Sequence, residues 1–223
     1  MFTHILNSFE FREFPTVQID GFRHYEIHGK LYPAITSILS IMNQEKILSW
    51  KKNLGEAVAK FESFRAANRG KDFHKICEDY LCNKDISIHK SKVLSLALFN
   101  LVKKELERID DIYAIEPTLY SEKYKIAGRA DCIAKFDDII SVIDFKTANR
   151  TKNKEILETH SIQETAYAIM YQELTGIKID QIITIVACEN GETQINIEKP
   201  NYFVSKLVDC IHEFRVSQKY SQV

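Results

Sequence analysis

Three residues in the middle of the chain combine the side-chain types and the spacing that phosphoester chemistry needs. Asp131 ends a Gly-Arg-Ala-Asp sequence, and Asp144 and Lys146 belong to an Asp-Phe-Lys sequence that ends an apolar segment. The pair Asp137-Asp138 between them suits a tight turn. If the turn is centred there, Asp131 lies directly across from Asp144, with Cβ atoms about 5 Å apart. Lys146, two residues further on, projects from the same face.

Two carboxylates that face each other at the edge of a core repel unless something offsets their charge. A divalent cation would do so, because Mg²⁺ and Mn²⁺ prefer hard carboxylate oxygens. Alternatively, Lys146 simply pairs with both aspartates in a salt-bridge cluster. Spacing alone leaves the two interpretations equally open.

The elements that must position these residues follow from hydrophobic periodicity. The pattern predicts a short hairpin over residues 22–27 and 30–32, a helix over 37–42, a helical stretch over 45–81 with a break near Gly70, and a helix over 91–108. Beyond these it predicts three strands (112–121, 127–136 and 139–146), a helix over 154–174, two strands (179–188 and 193–197) and a final helix over 202–216. This order predicts an α/β fold, a mixed sheet with helices packed on it. We expect a single domain over 1–223, mainly helical with a short hairpin over 1–110 and built on a sheet with flanking helices over 111–223.

Composition limits the possible classes of protein. The chain has 223 residues and a formal net charge of −1. Its positive charge is local, since residues 51–75 contain seven basic and three acidic side chains and residues 145–154 contain four basic and none acidic. Such stretches can hold phosphates, although a charge run is more often a solvated face. No apolar run approaches the roughly 18 residues of a membrane span, and the first residues do not look like a signal peptide.

The five cysteines include no C-x-x-C pair and are odd in number. We therefore expect reduced thiols in a cytoplasmic protein rather than disulfides or a zinc site.

Further residues place the Asp131–Lys146 region in a longer pattern. His74 lies upstream, with Glu78 one helical turn later, and Gln163 and Tyr167 follow on the next helix. In this order they resemble the PD-(D/E)xK nuclease superfamily, in its RecB-type exonuclease branch. The sequence Tyr-Pro-Ala-Ile-Thr-Ser-Ile-Leu over 32–39 and Trp50 are similar to phage exonucleases related to the mitochondrial genome maintenance exonuclease.

The resemblance implies a restriction-endonuclease-like PD-(D/E)xK core with an N-terminal helical elaboration. It also implies roles for individual residues. The implied metal ligands for Mg²⁺ or Mn²⁺ are His74, Asp131, Asp144 and the backbone carbonyl of Phe145. Lys146 would contact the attacking water or the scissile phosphate.

Other implied roles concern binding and orientation. Gln163 and Tyr167 would contact DNA or orient the Lys146 region, from the edge of an apolar helix stripe near the mouth of the site. Glu78 either orients His74 or is a surface acid. The basic residues expected to contact DNA are Arg69, Lys71, Arg129 and Arg150.

Two departures from the family pattern matter. Ala130 stands where the superfamily has proline before the first aspartate, and the cysteine spacing of iron–sulfur relatives is missing, so no cluster is expected.

The implied function is a metal-dependent DNA exonuclease that acts at free, single-stranded ends in replication, recombination or repair. An endonuclease of the same fold and a catalytically silent nucleic-acid-binding module remain alternatives. Phe61, Phe64 and Phe73 lie among basic residues and could stack on bases, but core packing is the favoured interpretation. Trp50, Tyr80, Phe99 and Tyr171 are also expected in the core.

Overall fold

The computed structural model describes residues 1–6 and 9–220. The N-terminal part begins with a three-stranded antiparallel sheet made of β1 (Thr16–Ile19), β2 (Phe22–Ile27) and β3 (Lys30–Pro33). Four helices follow: α1 (Ile35–Ser40), α2 (Gln44–Leu54), α3 (Glu56–Leu81) and α4 (Val93–Leu106). The predicted hairpin is confirmed, and β1 extends it by a strand that the sequence pattern did not indicate.

The C-terminal part supplies the main sheet. Its elements are β4 (Ile109–Ile115), β5 (Thr118–Ser121), β6 (Ile126–Arg129), β7 (Cys132–Phe136), β8 (Ile139–Ala148), α5 (Lys154–Thr175), β9 (Gln181–Cys188), β10 (Thr193–Glu198) and α6 (Val204–Tyr220). Five strands pair in the order β10-β9-β8-β7-β4. The β8–β9 pair is parallel, and α5 is the crossover that a parallel pair requires. The predicted mixed α/β sheet with flanking helices is therefore confirmed.

Both faces of the main sheet are covered. Val142 and Ile182 point into a core shared with α1, α5 and α6, whereas Ile143 and Ile183 point into a second core shared with α3 and α4. Side chains alternate between faces along a strand, so two covered faces require a nearly continuous apolar sequence. The run over 139–143 is almost wholly apolar, and β8, which contains it, occupies the middle of the sheet.

Two predicted strands are each broken in two, and the two breaks lie opposite each other in the antiparallel ribbon that these strands form. The expected strand over 112–121 separates into β4 and β5 at Glu116 and Pro117, and the strand over 127–136 separates into β6 and β7 at Ala130 and Asp131. Pro117 lacks an N–H for the ladder, and Glu116 adopts a left-handed φ of 52°. The antiparallel ribbon therefore leaves the main sheet at this point and continues as the separate β5–β6 pair.

The predicted helix break was misplaced. The chain bends at Gly55, whose φ is +82°, and continues through Gly70 inside α3. A left-handed φ favours glycine, whereas a glycine within a helix costs only about 0.5–1 kcal/mol. The five cysteines are free thiols. Among the described residues, no helix is both long and apolar enough to cross a membrane.

Candidate active site

The kink in the ribbon brings together two carboxylates that are far apart in sequence. The Glu116 N–H donates to the carbonyl oxygen of Asp131 over 2.9 Å, and the Ala130 N–H donates to that of Pro117 over 3.2 Å. Both acids thus sit where regular pairing stops and side chains are free to leave the pleat. His74, which α3 supplies, completes a group with Glu116 and Asp131 whose potential ligand atoms all lie within 4.8 Å of one another.

The geometry of His74 matches its predicted place at the site. Its Nδ1 lies 3.3 Å from Asp131 Oδ2. Burial disfavours the imidazolium, but the Asp131 carboxylate outweighs that effect and raises the pKa of His74. The pKa of the Asp131 carboxyl is lowered despite burial, chiefly by His74 and also by Lys146 and the Phe145 N–H. Each of the two side chains thus favours the charged form of the other.

Glu116 was missing from the predicted set. Burial raises the pKa of its carboxyl to about 7, and the neighbouring Asp131 charge adds to the effect. A signal for it did exist, because residues 122–125 form the turn of the kinked ribbon. Pairing outward from that turn places Glu116 opposite Asp131, by the same reasoning that paired Asp131 with Asp144.

The predicted register between Asp131 and Asp144 is confirmed up to the last ladder pair, Cys132 with Ile143. Asp131 itself lies one residue beyond the ladder. Its Oδ2 accepts a hydrogen bond of 2.7 Å from the backbone N–H of Phe145. The two aspartates are therefore not a ladder pair, as the expectation had them. They nevertheless lie near each other where the pairing of β7 with β8 ends.

Asp144 and Lys146 form an ion pair beside this group. Asp144 is 1% exposed. Burial raises the pKa of its carboxyl, and Asp131 raises it further against the opposing effect of Lys146. Burial alone would lower the pKa of Lys146, but Asp144 and Asp131 raise it, so the ammonium stays charged. The salt-bridge alternative thus describes Asp144 and Lys146, whereas His74, Glu116 and Asp131 have the donor set of a cation site.

Gln163 is half-buried and lies beside the site, as expected, whereas Tyr167 occupies a different place. The Gln163 Nε2 donates to Asp144 Oδ1 over 3.2 Å and to the Tyr167 hydroxyl over 3.0 Å. Tyr167 is 2% exposed and packs in the core rather than at the mouth of the site. More of the surface of helix α5 is buried than the predicted apolar stripe covers. The reason is that the β5–β6 pair, as well as the main sheet, packs against this helix. The Gln163 amide therefore links the Asp144 carboxylate to the Tyr167 hydroxyl.

Gly128 makes room for that tyrosine. A Cβ at this position would lie 2.7 Å from Cε1 of Tyr167 and 3.0 Å from Cγ2 of Ile35. The glycine three residues before Asp131 thus allows α5 to approach the ribbon closely.

The remaining predicted residues divide into two groups. Glu78 was expected to orient His74, but it accepts a hydrogen bond of 2.7 Å from Lys75 instead. The carboxylate that lies beside the His74 imidazole is that of Asp131. Arg69 is 7% exposed and bonds to Thr147, Asn149 and Glu189, because α3 packs on the end of β8. Arg129 pairs with Glu13 and Glu116. Of the four basic residues predicted to contact DNA, Lys71 and Arg150 are exposed and form no ion pair with a described residue.

The aromatic residues singled out in the sequence differ in their burial. Phe73, Phe99 and Tyr171 are buried as expected. Phe61 and Phe64 are 63% and 67% exposed, against the expectation of core packing. They lie in a segment, residues 44–68, in which Ala59 is the one buried residue. Trp50 in this segment is also partly exposed, at 37%. The segment is thus almost entirely exposed, and its sequence also contains Lys51, Lys52 and Lys60.

A mixed sheet that carries an Asp-x-Lys strand end, an opposing aspartate and a histidine from a preceding helix defines the class of the protein as a nuclease-type fold with a candidate cation site. The chain belongs to the PD-(D/E)XK nuclease superfamily, whose family model matches residues 87–197. That match includes Glu116, Asp131, Asp144 and Lys146, and His74 lies before it.

The chain is also similar to two proteins with curated descriptions. The chain is 27% identical to the mitochondrial genome maintenance exonuclease 1 of Xenopus tropicalis, over 76% of this chain and 52% of that protein. It is 25% identical to the human protein of the same name, over 56% of this chain and 39% of that protein. The chain thus spans about half the length of these relatives or less. A solved structure from Eubacterium rectale, designated an exonuclease, aligns with a TM-score of 0.46 and 12% identity, over 68% of this chain and 65% of that one.

Proposed function

We propose that this protein is a metal-dependent deoxyribonuclease that removes nucleotides from free DNA ends. The observation that carries the proposal is the group of His74, Glu116 and Asp131 beside the ion-paired Asp144 and Lys146. Glu116 and Asp131 are two acids held within 4.8 Å of each other and of one histidine, an arrangement that a cation would stabilise. Lys146 offsets the charge of Asp144, whereas the carboxyl of Glu116 keeps a raised pKa although Arg129 lies 3.7 Å away.

The donor set fits a hard divalent cation. Carboxylate oxygens of Asp131, Glu116 and Asp144, one imidazole nitrogen of His74 and the carbonyl of Phe145 are the groups that would hold Mg²⁺ or Mn²⁺. Such a cation, when bound, supplies Lewis-acid polarisation of a phosphoryl oxygen and lowers the pKa of water. Glu116 extends the ligand set that the family resemblance implied.

The chain's own residues do the positioning. Lys146 keeps its positive charge at the end of β8, where it can donate to a phosphate oxygen as negative charge develops. Gln163 holds Asp144 through its amide, and the buried Tyr167 hydroxyl holds Gln163 in turn. The neutral Gln163 amide and the Tyr167 phenol neither bind the cation nor generate hydroxide. By holding Asp144 in place they would raise the cleavage rate, because the reacting groups must be aligned.

The exposed segment of residues 44–68 supports a preference for single strands. Exposed Phe61 and Phe64 offer faces on which unpaired bases can stack, and the lysines of the segment attract the backbone. Bases in a duplex are already stacked on each other, so these rings would have little to bind. The same helix continues to His74, which connects this surface to the site.

Relatives named exonucleases favour action at ends over the endonuclease alternative. The silent-module alternative would expect a missing ligand or lysine, and all are present. A role in replication, recombination or repair, a phage-like origin, a cytoplasmic location, a single nuclease domain over residues 1–223 and the lack of an iron–sulfur cluster stay predictions.

A substrate panel tests the proposal. Purified protein with Mg²⁺ is offered end-labelled linear single strands, linear duplexes and closed circular single strands, and products are resolved with time. We expect cutting of linear single strands from an end, slower cutting of duplexes and no cutting of circles. Asp144→Asn and Lys146→Ala proteins, prepared identically, should fold normally yet leave every substrate intact, which excludes a contaminating nuclease. Rapid cutting of circles would establish the endonuclease alternative instead.

A further inference from the structure

A cavity of about 690 Å³ opens beside the end of β8, past Lys146. Its charged lining residues are Arg69, Arg150 and Lys152, and no carboxylate contributes to the lining. We call it the basic cavity. The remaining lining is neutral and includes the amides of Asn149 and Asn153. Hydrogen-bond donors and positive charge without a facing acid are the features of an anion site.

Two of the cations have no counter-ion in the part of the chain that the structure describes. Arg150 is exposed, Lys152 is half-buried, and neither forms an ion pair with a described residue. Burial lowers the pKa of the Lys152 ammonium, and the nearby Arg69 adds to this effect, although Cys188 opposes it. An ammonium held partly out of water beside a second cation gains from an arriving anion.

The loop that carries these cations is already fixed. The Lys152 N–H donates to Gln194 Oε1 over 2.7 Å, and the Gln194 Nε2 donates back to the Lys152 carbonyl over 3.1 Å. Asn153 caps α5 by accepting from the Ile156 N–H over 3.0 Å. The loop therefore needs little ordering when it binds a ligand, which preserves affinity.

The buried wall of the cavity holds an ion-pair network in which the charges balance. Arg69 and Arg65 share the carboxylate of Glu189, and Arg65 also pairs with Glu62. The uncompensated positive charge of the cavity therefore comes from Arg150 and Lys152. Arg69 also donates to Asn149 Oδ1 over 2.8 Å. That bond occupies the amide oxygen, so the NH₂ group of Asn149 is the end left to donate.

The position of the basic cavity relates it to the candidate active site. Asn149 lies three residues beyond Lys146 in a chain that rises about 3.3 Å per residue, so the two Cα atoms are roughly 10 Å apart. We propose that the basic cavity is a second phosphate site, which holds a non-scissile backbone phosphate of the strand whose scissile phosphate lies at Lys146. This inference rests on the proposed function and assigns part of its substrate path.

Binding of single-stranded oligonucleotides in EDTA tests the site separately from cleavage. We compare the parent with an Arg150→Gln/Lys152→Gln variant. The matched control is Lys104→Gln/Lys199→Gln, which removes the same charge from exposed lysines that have no ion pair with a described residue. We expect about 10-fold weaker binding by the cavity variant. The slope of log K against log salt should become shallower by about 0.7 for each phosphate that the variant no longer neutralises.

Substrate ends distinguish a backbone phosphate from a terminal one. The same oligonucleotide is prepared with a phosphate or a hydroxyl at its 5′ end and at its 3′ end. An equal loss of affinity on all four forms supports the proposal, whereas a loss confined to one phosphorylated end would overturn the backbone assignment. Binding by the cavity variant that equals the control would also overturn it, even if the parent cuts DNA normally. A parent that binds DNA as expected but cuts nothing would instead refute the proposed function.

Discussion

At the scale of single residues, Glu116 is the ligand candidate that the geometry adds. Glu116→Gln keeps the shape of the side chain and removes the charge that a cation would need. We expect Mn²⁺ affinity to fall at least about 10-fold, measured by calorimetric titration of metal-free protein. Glu107→Gln, at an exposed acid outside the site, is the control and should bind like the parent. Equal affinity for all three proteins would show that Glu116 is a structural acid.

Gln163 is argued to act through Asp144. Gln163→Ala removes the amide that holds the carboxylate, whereas Tyr167→Phe removes only the hydroxyl behind that amide. We expect single-turnover cleavage to slow by roughly 10- to 100-fold for the first variant and by less for the second, since one lost positioning bond is worth about 1.5–3 kcal/mol. Mn²⁺ affinity should stay close to that of the parent. A large loss of metal binding, or a slower Tyr167→Phe than Gln163→Ala, would contradict this order of dependence.

At the scale of the elements, close contact between α5 and the kinked ribbon depends on Gly128. Gly128→Ala must push Tyr167 or Ile35 aside. We expect the free energy of unfolding to fall by about 1–3 kcal/mol and cleavage to slow, because Tyr167 orients Gln163. Urea unfolding and a cleavage assay measure the two effects. Gly70→Ala is the contrast: its Cβ would lie no closer than 3.8 Å to Thr147 Oγ1. A helical alanine there should stabilise by about 0.5–1 kcal/mol.

The loop after α3 is attached to that helix by one buried acid. Asp79 accepts from His89 over 2.9 Å and from Lys84 over 3.1 Å, and pairs with Lys75 over 3.1 Å. Burial opposes ionisation, but these partners lower the pKa of Asp79 from 3.8 to about 2. A lowered carboxyl pKa stabilises the fold above the unfolded value, and that stability is lost as pH falls from about 4 towards 2.

Asp79→Asn should therefore cost roughly 2 kcal/mol at pH 7. The difference from the parent should shrink progressively below about pH 4, because the parent's own carboxyl then becomes protonated. Urea unfolding across this pH range measures both effects. Asp209→Asn, at an exposed position on α6, should match the parent throughout. A cost that stays constant with pH would mean that shape, rather than charge, matters at position 79.

Hydrophobic periodicity predicted most of these elements, and it failed where backbone geometry decided the outcome. The apolar sequence of β8 and the Asp137-Asp138 turn were enough to place Asp131, Asp144 and Lys146. The break at Glu116 and Pro117 was missed because the flanking residues continue a strand-like pattern across it. Helix α5 was assigned correctly, but its burial was underestimated, because the sequence does not reveal that the separate β5–β6 pair packs against it.

At the scale of the whole molecule, positive charge is concentrated in local regions although the net charge is close to zero. The net charge of −1 gives no sign of a nucleic-acid partner. Exposed lysines on the segment of residues 44–68 and the cations of the basic cavity nevertheless form local positive regions on either side of His74 in the sequence. Acidic residues elsewhere balance them, which is why the net charge alone gives no sign of the function that the site supports.

The measurement that tests the central claim most directly is cleavage of an end-labelled linear single strand by the same protein without and with a cation. Protein stripped with EDTA should be inactive, and Mg²⁺ or Mn²⁺ added beyond the chelator should restore the rate. The chain would still be folded in EDTA, as circular dichroism would confirm, because its two cores need no metal. Robust cleavage in excess chelator, or none after either cation is restored, would contradict the account.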